Sequence, residues 1–154
     1  MSKVLIKKSN PSVKLPVYKT EGASGMDLMA FINEPIILKP NTSCLVPTGI
    51  SVAFSSDFEI QLRPRSGLAA KHNISVLNTP GTIDSDYRGE LKVILFNHGD
   101  DNFLINNEDR IAQMILTPVI KIDLEETDNL PKTVRGDGGF GSTGKWGQNY
   151  LRKK

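Results

Sequence analysis

Five consecutive residues, Arg63-Pro64-Arg65-Ser66-Gly67, place two guanidinium groups, a hydroxyl and a glycine side by side. These are the parts of a phosphate cradle. Arginine meets an oxyanion with paired N–H donors, and glycine lets backbone N–H groups approach without a side chain in the way. The same residues also read as a solvated turn, with Ser66 capping a short helix that runs to Lys71. A second cluster runs from Asn78 to Glu90, where Pro80-Gly81 and Arg88-Gly89 bracket a short polar segment. Turn signals on both sides predict a hairpin whose backbone donors and acceptors can read the edge of a base. Asp84 and Asp86 fall on one face of that segment if it is extended. A carboxylate there can act as a general base for water or help to hold a metal. The plain alternative is an ordinary acidic surface turn.

The third cluster, Arg135 to Gly144, is half glycine and contains Arg135, Phe140, Ser142 and Thr143. Gly136, Gly138 and Gly141 formally match a dinucleotide-binding glycine pattern. That motif must leave a strand and open a helix within a βαβ unit, and only 13 residues follow Gly141. A P-loop fails too, because Gly144-Lys145 is followed by Trp146 rather than Ser or Thr. Composition alone gives a disordered tail. A sharper reading is a nucleotide lid, with unobstructed N–H groups, Arg135 and two hydroxyls for phosphate, and Phe140 to stack on a planar ring. Two weaker features remain. Asp27 stands in the small-to-apolar stretch Ala23–Leu28, and such a carboxylate needs a cationic partner or a site to support. Arg110 and Gln113 stand three apart at the entrance to an apolar strand. His72 and His98 read as surface residues, Cys44 as a small core residue, and Trp146 as an anchor behind the lid.

Short strands must position these groups. Ile36–Leu38, Ile74–Leu77 and Leu91–Phe96 are apolar runs closed by Pro, Gly, Asn or Asp, while Phe58, Ile60 and Leu62 alternate with Glu59 and Gln61. Ile111–Ile120 contains Pro118 and cannot be one undisturbed helix. Many short strands with frequent turns predict an all-β sandwich or barrel over residues 1–134, followed by a flexible tail over 135–154. The chain has 154 residues, enough for one domain with a real core. Its net charge of +2 argues against bulk nucleic-acid binding, and a pI of 8.7 permits small anionic ligands. One cysteine excludes an internal disulfide and any multi-cysteine metal site, and with only His72 and His98 besides it argues against a protein-built zinc site. No apolar run reaches the roughly 20 residues of a spanning helix, and the N-terminal apolar stretch is too short for a signal peptide. The expectation is therefore a cytoplasmic protein with no membrane partner.

Taken in order, the five segments resemble the five motifs of the trimeric deoxyuridine triphosphate nucleotidohydrolases (dUTPases), from Ala23-Ser24-Gly25-Met26-Asp27-Leu28 to Gly138-Gly139-Phe140-Gly141-Ser142-Thr143-Gly144. The resemblance implies a distorted jelly-roll subunit, a homotrimer, and three active sites at subunit interfaces. It implies hydrolysis of dUTP to dUMP and pyrophosphate, which keeps uracil out of DNA and supplies dUMP for dTMP synthesis. Mg²⁺ would be held by the phosphates and water, with no direct protein ligand. By the same resemblance Asp84 activates the water that attacks the α-phosphorus, and Tyr87 packs on the deoxyribose where a 2′-hydroxyl would sit. Asn78 and the backbone at Thr82-Ile83-Asp84 read uracil, and Lys92 belongs to that pocket. Arg65, Ser66, Gly67 and Gln113 hold phosphates from a neighbouring subunit. The tail of a third subunit brings Phe140 onto the base and Arg135, Ser142 and Thr143 onto phosphate. Asp27 supports the site through a bridging water or a neighbouring side chain.

Two other readings are distinguishable. A dCTP deaminase of the same superfamily carries a catalytic glutamate in the strand that corresponds to Val93-Ile94-Leu95-Phe96, where this chain has no carboxylate. A non-catalytic jelly-roll module would keep the nucleotide pocket without needing Asp84 or the lid.

Overall fold

The period-two patterning resolves into short antiparallel strands. The computed structural model describes residues 3–140 and Ser142. In chain order the elements are β1 (Leu5–Lys8), β2 (Met26–Met29), β3 (Ile36–Leu38), β4 (Ser43–Pro47), β5 (Ile50–Ala53), β6 (Phe58–Arg63), α1 (Ser66–His72), β7 (Ile74–Val76), β8 (Gly81–Ile83), β9 (Lys92–Asn97), β10 (Phe103–Ile105) and β11 (Arg110–Pro118). Strands β2-β11-β6-β8 form one sheet and β4-β9-β7 another, with the pairs β1-β5 and β10-β3 beside them. The all-β expectation therefore holds.

Alternation decides which face of each strand is buried. In β6, Ile60 and Leu62 are buried while Glu59 and Gln61 are half-exposed. In β9, Val93, Leu95 and Asn97 point inward, leaving Lys92 exposed and Ile94 and Phe96 half-buried. Leu28, Ile60, Leu62 and Met114 of the first sheet meet Val46, Val76, Val93 and Leu95 of the second in one continuous core. Each fully buried Leu, Ile or Val contributes on the order of 1.5–3 kcal/mol. Pro118 ends β11, where its missing N–H interrupts no ladder beyond it.

No two strands adjacent in sequence pair with each other among the described residues. The segment between β8 and β9 is therefore not a hairpin. β8 pairs with β6 while β9 pairs with β4 and β7, so the loop at 84–91 crosses from one sheet to the other. β8 is the edge of its sheet, and alternate backbone groups along it face away from β6. The cross-over delivers what the predicted hairpin was meant to deliver, an unpaired strand edge.

The short helix lies where expected but starts differently. Arg65, not Ser66, is the N-cap, at φ −87° and ψ 126°, and no side chain caps the helix. The Arg65 side chain is tied to Asp27, which fixes the extended conformation at Arg65, and the chain becomes helical at Ser66. Asn73, in the left-handed region at φ 56°, closes the other end.

Residues from Lys121 form a separate unit. Between Lys121 and Phe140 there is no helix or strand, and nearly every residue is exposed. Local turns join the Gly136 N–H to the Thr133 carbonyl at 3.2 Å and the Gly138 N–H to the Arg135 carbonyl at 3.1 Å.

Candidate active site

A cleft of about 510 Å³ opens beside the free edge of β8. Thr82, Ile83, Asp84 and Tyr87 line it from the β8 side, and Lys92, Ile94 and Leu45 from the outward face of β9 and β4. Leu45 and Ile94 are direct cross-strand partners, which gives the cleft an apolar floor. The loop that carries Asp84 and Tyr87 is held at several points. The Tyr87 N–H donates to the Asp84 carbonyl at 3.1 Å, and the Tyr87 hydroxyl donates to the Glu90 carbonyl at 3.1 Å. Arg88 donates to the carbonyls of Ser85 and Tyr87 at 2.7 and 2.9 Å. The Glu90 carboxylate accepts the Gly49 N–H at 2.7 Å, and the Thr48 hydroxyl donates to the Leu91 carbonyl at 2.6 Å.

The turn at Asp84–Tyr87 also corrects one expectation. Asp84 and Asp86 would share a face only in an extended segment. The chain turns there, and of the two only Asp84 lines the cleft. Asn78 stands at the other end of β8. A Cβ on the buried Gly81 would come within 3.1 Å of the Asn78 amide nitrogen, so glycine is what lets that side chain lie against the strand. Glu90 was legible only as a turn residue, because its partner Gly49 lies 41 residues away on another turn.

A second centre forms around Asp27, which is 6% exposed. Its Oδ1 accepts Arg65 Nε at 3.1 Å and its Oδ2 accepts Arg110 at 3.0 Å. Arg65 also donates to the Arg110 carbonyl at 3.1 Å. One buried carboxylate thus aims two guanidinium groups, meeting the need for a partner that its apolar context announced. Gln113 is the register partner of both Asp27 on β2 and Arg63 on β6, which brings it to this end of the sheet. Ser66 and Gly67 follow Arg65 at the start of α1, both exposed, and a Cβ on Gly67 would meet nothing within 4 Å. Arg110 was seen in the sequence, but nothing local marked it as a partner of a residue 83 positions earlier. The arginine pair does not line the β8 cleft. The structure thus brings the expected residues into two separate groups rather than one.

The C-terminal candidates lie in the separate unit. Arg135 Nε donates to the Gly138 carbonyl at 2.7 Å, closing a small turn, and the Ser142 N–H donates to the Gly139 carbonyl at 3.0 Å. Phe140 is fully exposed in the left-handed region at φ 48°. Thr143 lies outside the described residues, as does Trp146. Burial raises the Cys44 thiol above its ordinary pKa, which suits a packing residue better than a nucleophile.

Substituting Asp27 by Asn keeps the shape but removes the charge that both arginines share. Because the arginines are partly exposed and can hydrate, the expected loss of folding free energy is about 1–3 kcal/mol. It would appear as a lower urea midpoint at unchanged slope. An unshifted midpoint would show that the carboxylate charge does not hold the pair.

Fold and site together define an antiparallel β domain with a cleft at a sheet edge and, apart from it, two arginines held by one buried carboxylate. The dUTPase family model matches residues 12–144, and the chain belongs to the dUTPase family. It is 59% identical over 130 residues to the deoxyuridine 5′-triphosphate nucleotidohydrolase of Treponema denticola, covering 84% of this chain and 90% of that one. It is 54% identical over 145 residues to that of Rickettsia massiliae, covering 94% and 98%. In three dimensions it resembles the dUTPase of Staphylococcus bacteriophage 80alpha solved with dUPNHPP, at TM-score 0.84 and 20% identity over 94% and 99% of the two chains. It also resembles a dUTPase of S. aureus phage phi11 described with a structural Mg(II) ion, at TM-score 0.76 and 17% identity over 84% and 99%. At those identities the two structures speak for the fold.

Proposed function

We propose how this chain performs the reaction of its family, the hydrolysis of dUTP. The single observation that carries the reading is the shared cleft: Asp84 and Tyr87 face one space beside an unpaired strand edge. The edge of β8 at Thr82 and Ile83 pairs with the uracil, and Asn78 supports that strand. In this reading the base sits between that backbone and the apolar floor of Ile94 and Leu45, in a pose that excludes a 5-methyl group. Tyr87 packs on the deoxyribose. Asp84 takes a proton from water as its oxygen bonds to the α-phosphorus. The bond from that phosphorus to the bridging oxygen breaks, and dUMP and pyrophosphate leave.

The arginine centre adds positive charge to that of Lys92, the one cation among the described residues that lines the cleft. Asp27 orients Arg65, and Ser66, Gly67 and Gln113 lie beside it with exposed or half-exposed polar groups. Because these residues stand apart from the cleft, we place them on the phosphates bound at a neighbouring copy, in a homotrimer with shared sites. Phe140, Arg135, Ser142 and Thr143 of a third copy close over base and phosphate. The groups that converge at these positions are cations, amides and hydroxyls, and both Asp27 oxygens already accept from arginine. Such a set suits the triphosphate rather than a bare cation, so in this reading Mg²⁺ arrives on the substrate and offsets its charge. No helix among the described residues is long and apolar enough to cross a membrane. A free, half-buried cysteine fits a reducing compartment, and we place the enzyme in the cytoplasm.

Pyrophosphate release with dUTP, dCTP, dTTP and UTP tests the assignment. Rapid release from dUTP alone is the expected result. Comparable release from dTTP would remove the tight slot, and ammonia release from dCTP would favour the deaminase relative.

A further inference from the structure

Gly89 has been given no role so far, yet its position constrains one of the assigned groups. A Cβ built on Gly89 would lie 2.3 Å from the Tyr87 hydroxyl oxygen, 2.5 Å from Cζ and 2.9 Å from Cε2. No real Cβ tolerates those distances, so with any other residue at 89 either the backbone or the ring must move. The neighbouring residues are tied down on both sides: the Arg88 guanidinium donates to the Ser85 and Tyr87 carbonyls, the Glu90 carboxylate accepts the Gly49 N–H, and the backbone Leu91 N–H donates to the Ile50 carbonyl at 2.7 Å. The ring is freer: Tyr87 is 44% exposed, and its one side-chain hydrogen bond among the described residues is the 3.1 Å contact to the Glu90 carbonyl. Gly89 has no left-handed φ, so alanine meets no strain of that kind there, and the three atoms nearest to the added Cβ all belong to the Tyr87 side chain.

We propose that Gly89 is a positioning residue for sugar specificity: the missing side chain lets the Tyr87 ring lie flat over residue 89 and donate to the Glu90 carbonyl, in the pose that excludes a 2′-hydroxyl. This rests on the reading of Tyr87 as the residue that faces the deoxyribose. A side chain at 89 breaks the hydrogen bond, swings the ring out, and opens the space that a ribonucleotide needs. Gly89 then controls discrimination without contacting substrate.

The test is a double-mutant cycle read as the ratio of kcat/KM for dUTP to that for UTP. Tyr87→Ala should lower the ratio about tenfold or more, the order one steric contact gives. Gly89→Ala should lower it by a similar factor, and the double variant should match Tyr87→Ala alone, because the ring through which residue 89 acts is gone. An unchanged ratio in Tyr87→Ala would overturn the reading of Tyr87 itself. A lowered ratio in Tyr87→Ala with an unchanged one in Gly89→Ala, or effects that multiply in the double variant, would overturn the role of Gly89 alone. If Gly89→Ala folds only when Tyr87 is also alanine, the ring cannot swing out as proposed, and the specificity role of Gly89 fails. If neither folds, residue 89 acts through something other than the ring, and the proposal fails.

Discussion

Replacing Asp84 by Asn is expected to lower dUTP turnover by about 10²–10⁴-fold, the usual contribution of a general base. The amide has nearly the shape of the carboxylate but cannot accept the proton of the attacking water. Asp84 is suited to that task by what surrounds it. It is exposed within the cleft, and among the described residues its side chain takes no hydrogen bond or ion pair, so water can reach both oxygens. Its backbone carbonyl is fixed by the Tyr87 N–H, so the side chain starts from a defined point. Binding and catalysis should therefore separate. A non-hydrolysable dUTP analogue should bind Asp84→Asn within a few-fold of the native affinity, while kcat and kcat/KM fall together. Asp86→Asn is the matched control, since Asp86 is exposed in the same turn but does not line the cleft, and it should turn over almost normally. Turnover in Asp84→Asn within a few-fold of native would remove it as the base.

The elements were more legible than their partners. Phe58–Leu62 announced a strand through its alternation, and β6 carries that pattern with Ile60 and Leu62 inside. The partner of β6 could not be read, because β11 lies on the far side of four other strands in sequence and register is set by the shared core rather than by a local turn. For the same reason the segment around Asp84 looked like a hairpin. Its turn residues are those of a short connection, but β8 and β9 each find a better-packed neighbour in a different sheet. Side-chain chemistry followed the same division. Asp27 stood out because a lone carboxylate in an apolar stretch must be neutralised, yet Arg65 and Arg110 come from 38 and 83 residues away. Ser66 carried a capping signal that lost to the pull of Asp27 on Arg65. Gly89 is exposed and has an ordinary φ, so its constraint appears only when the Tyr87 ring is seen lying against it.

Removing residues 135–154 should abolish most activity while leaving the β domain folded. The fold half of that expectation rests on packing. Every buried core side chain among the described residues lies between Val13 and Met114, and the last strand ends at Pro118. The thermal transition of the truncated chain should therefore stay close to that of the native protein. The activity half rests on entropy. Fixing one residue costs about 1–2 kcal/mol, and glycine costs most, so a glycine-rich segment orders only against strong contacts. Within its own unit the segment offers little to meet that cost: the Arg135 turn closes on the Gly138 carbonyl, and Phe140 is fully exposed. In the proposed reading, base and phosphates would supply what is missing, a ring for Phe140 and oxyanions for Arg135 and Ser142. Closure over the substrate would fix the triphosphate for in-line attack, and misplacing it costs on the order of 10²-fold in rate. Amide exchange supplies the second readout. Residues 135–140 should exchange freely in the apo protein and become protected with a dUTP analogue. Strong protection without nucleotide would show a segment ordered by the protein alone, and full activity in the truncated chain would show that it closes over nothing the reaction needs.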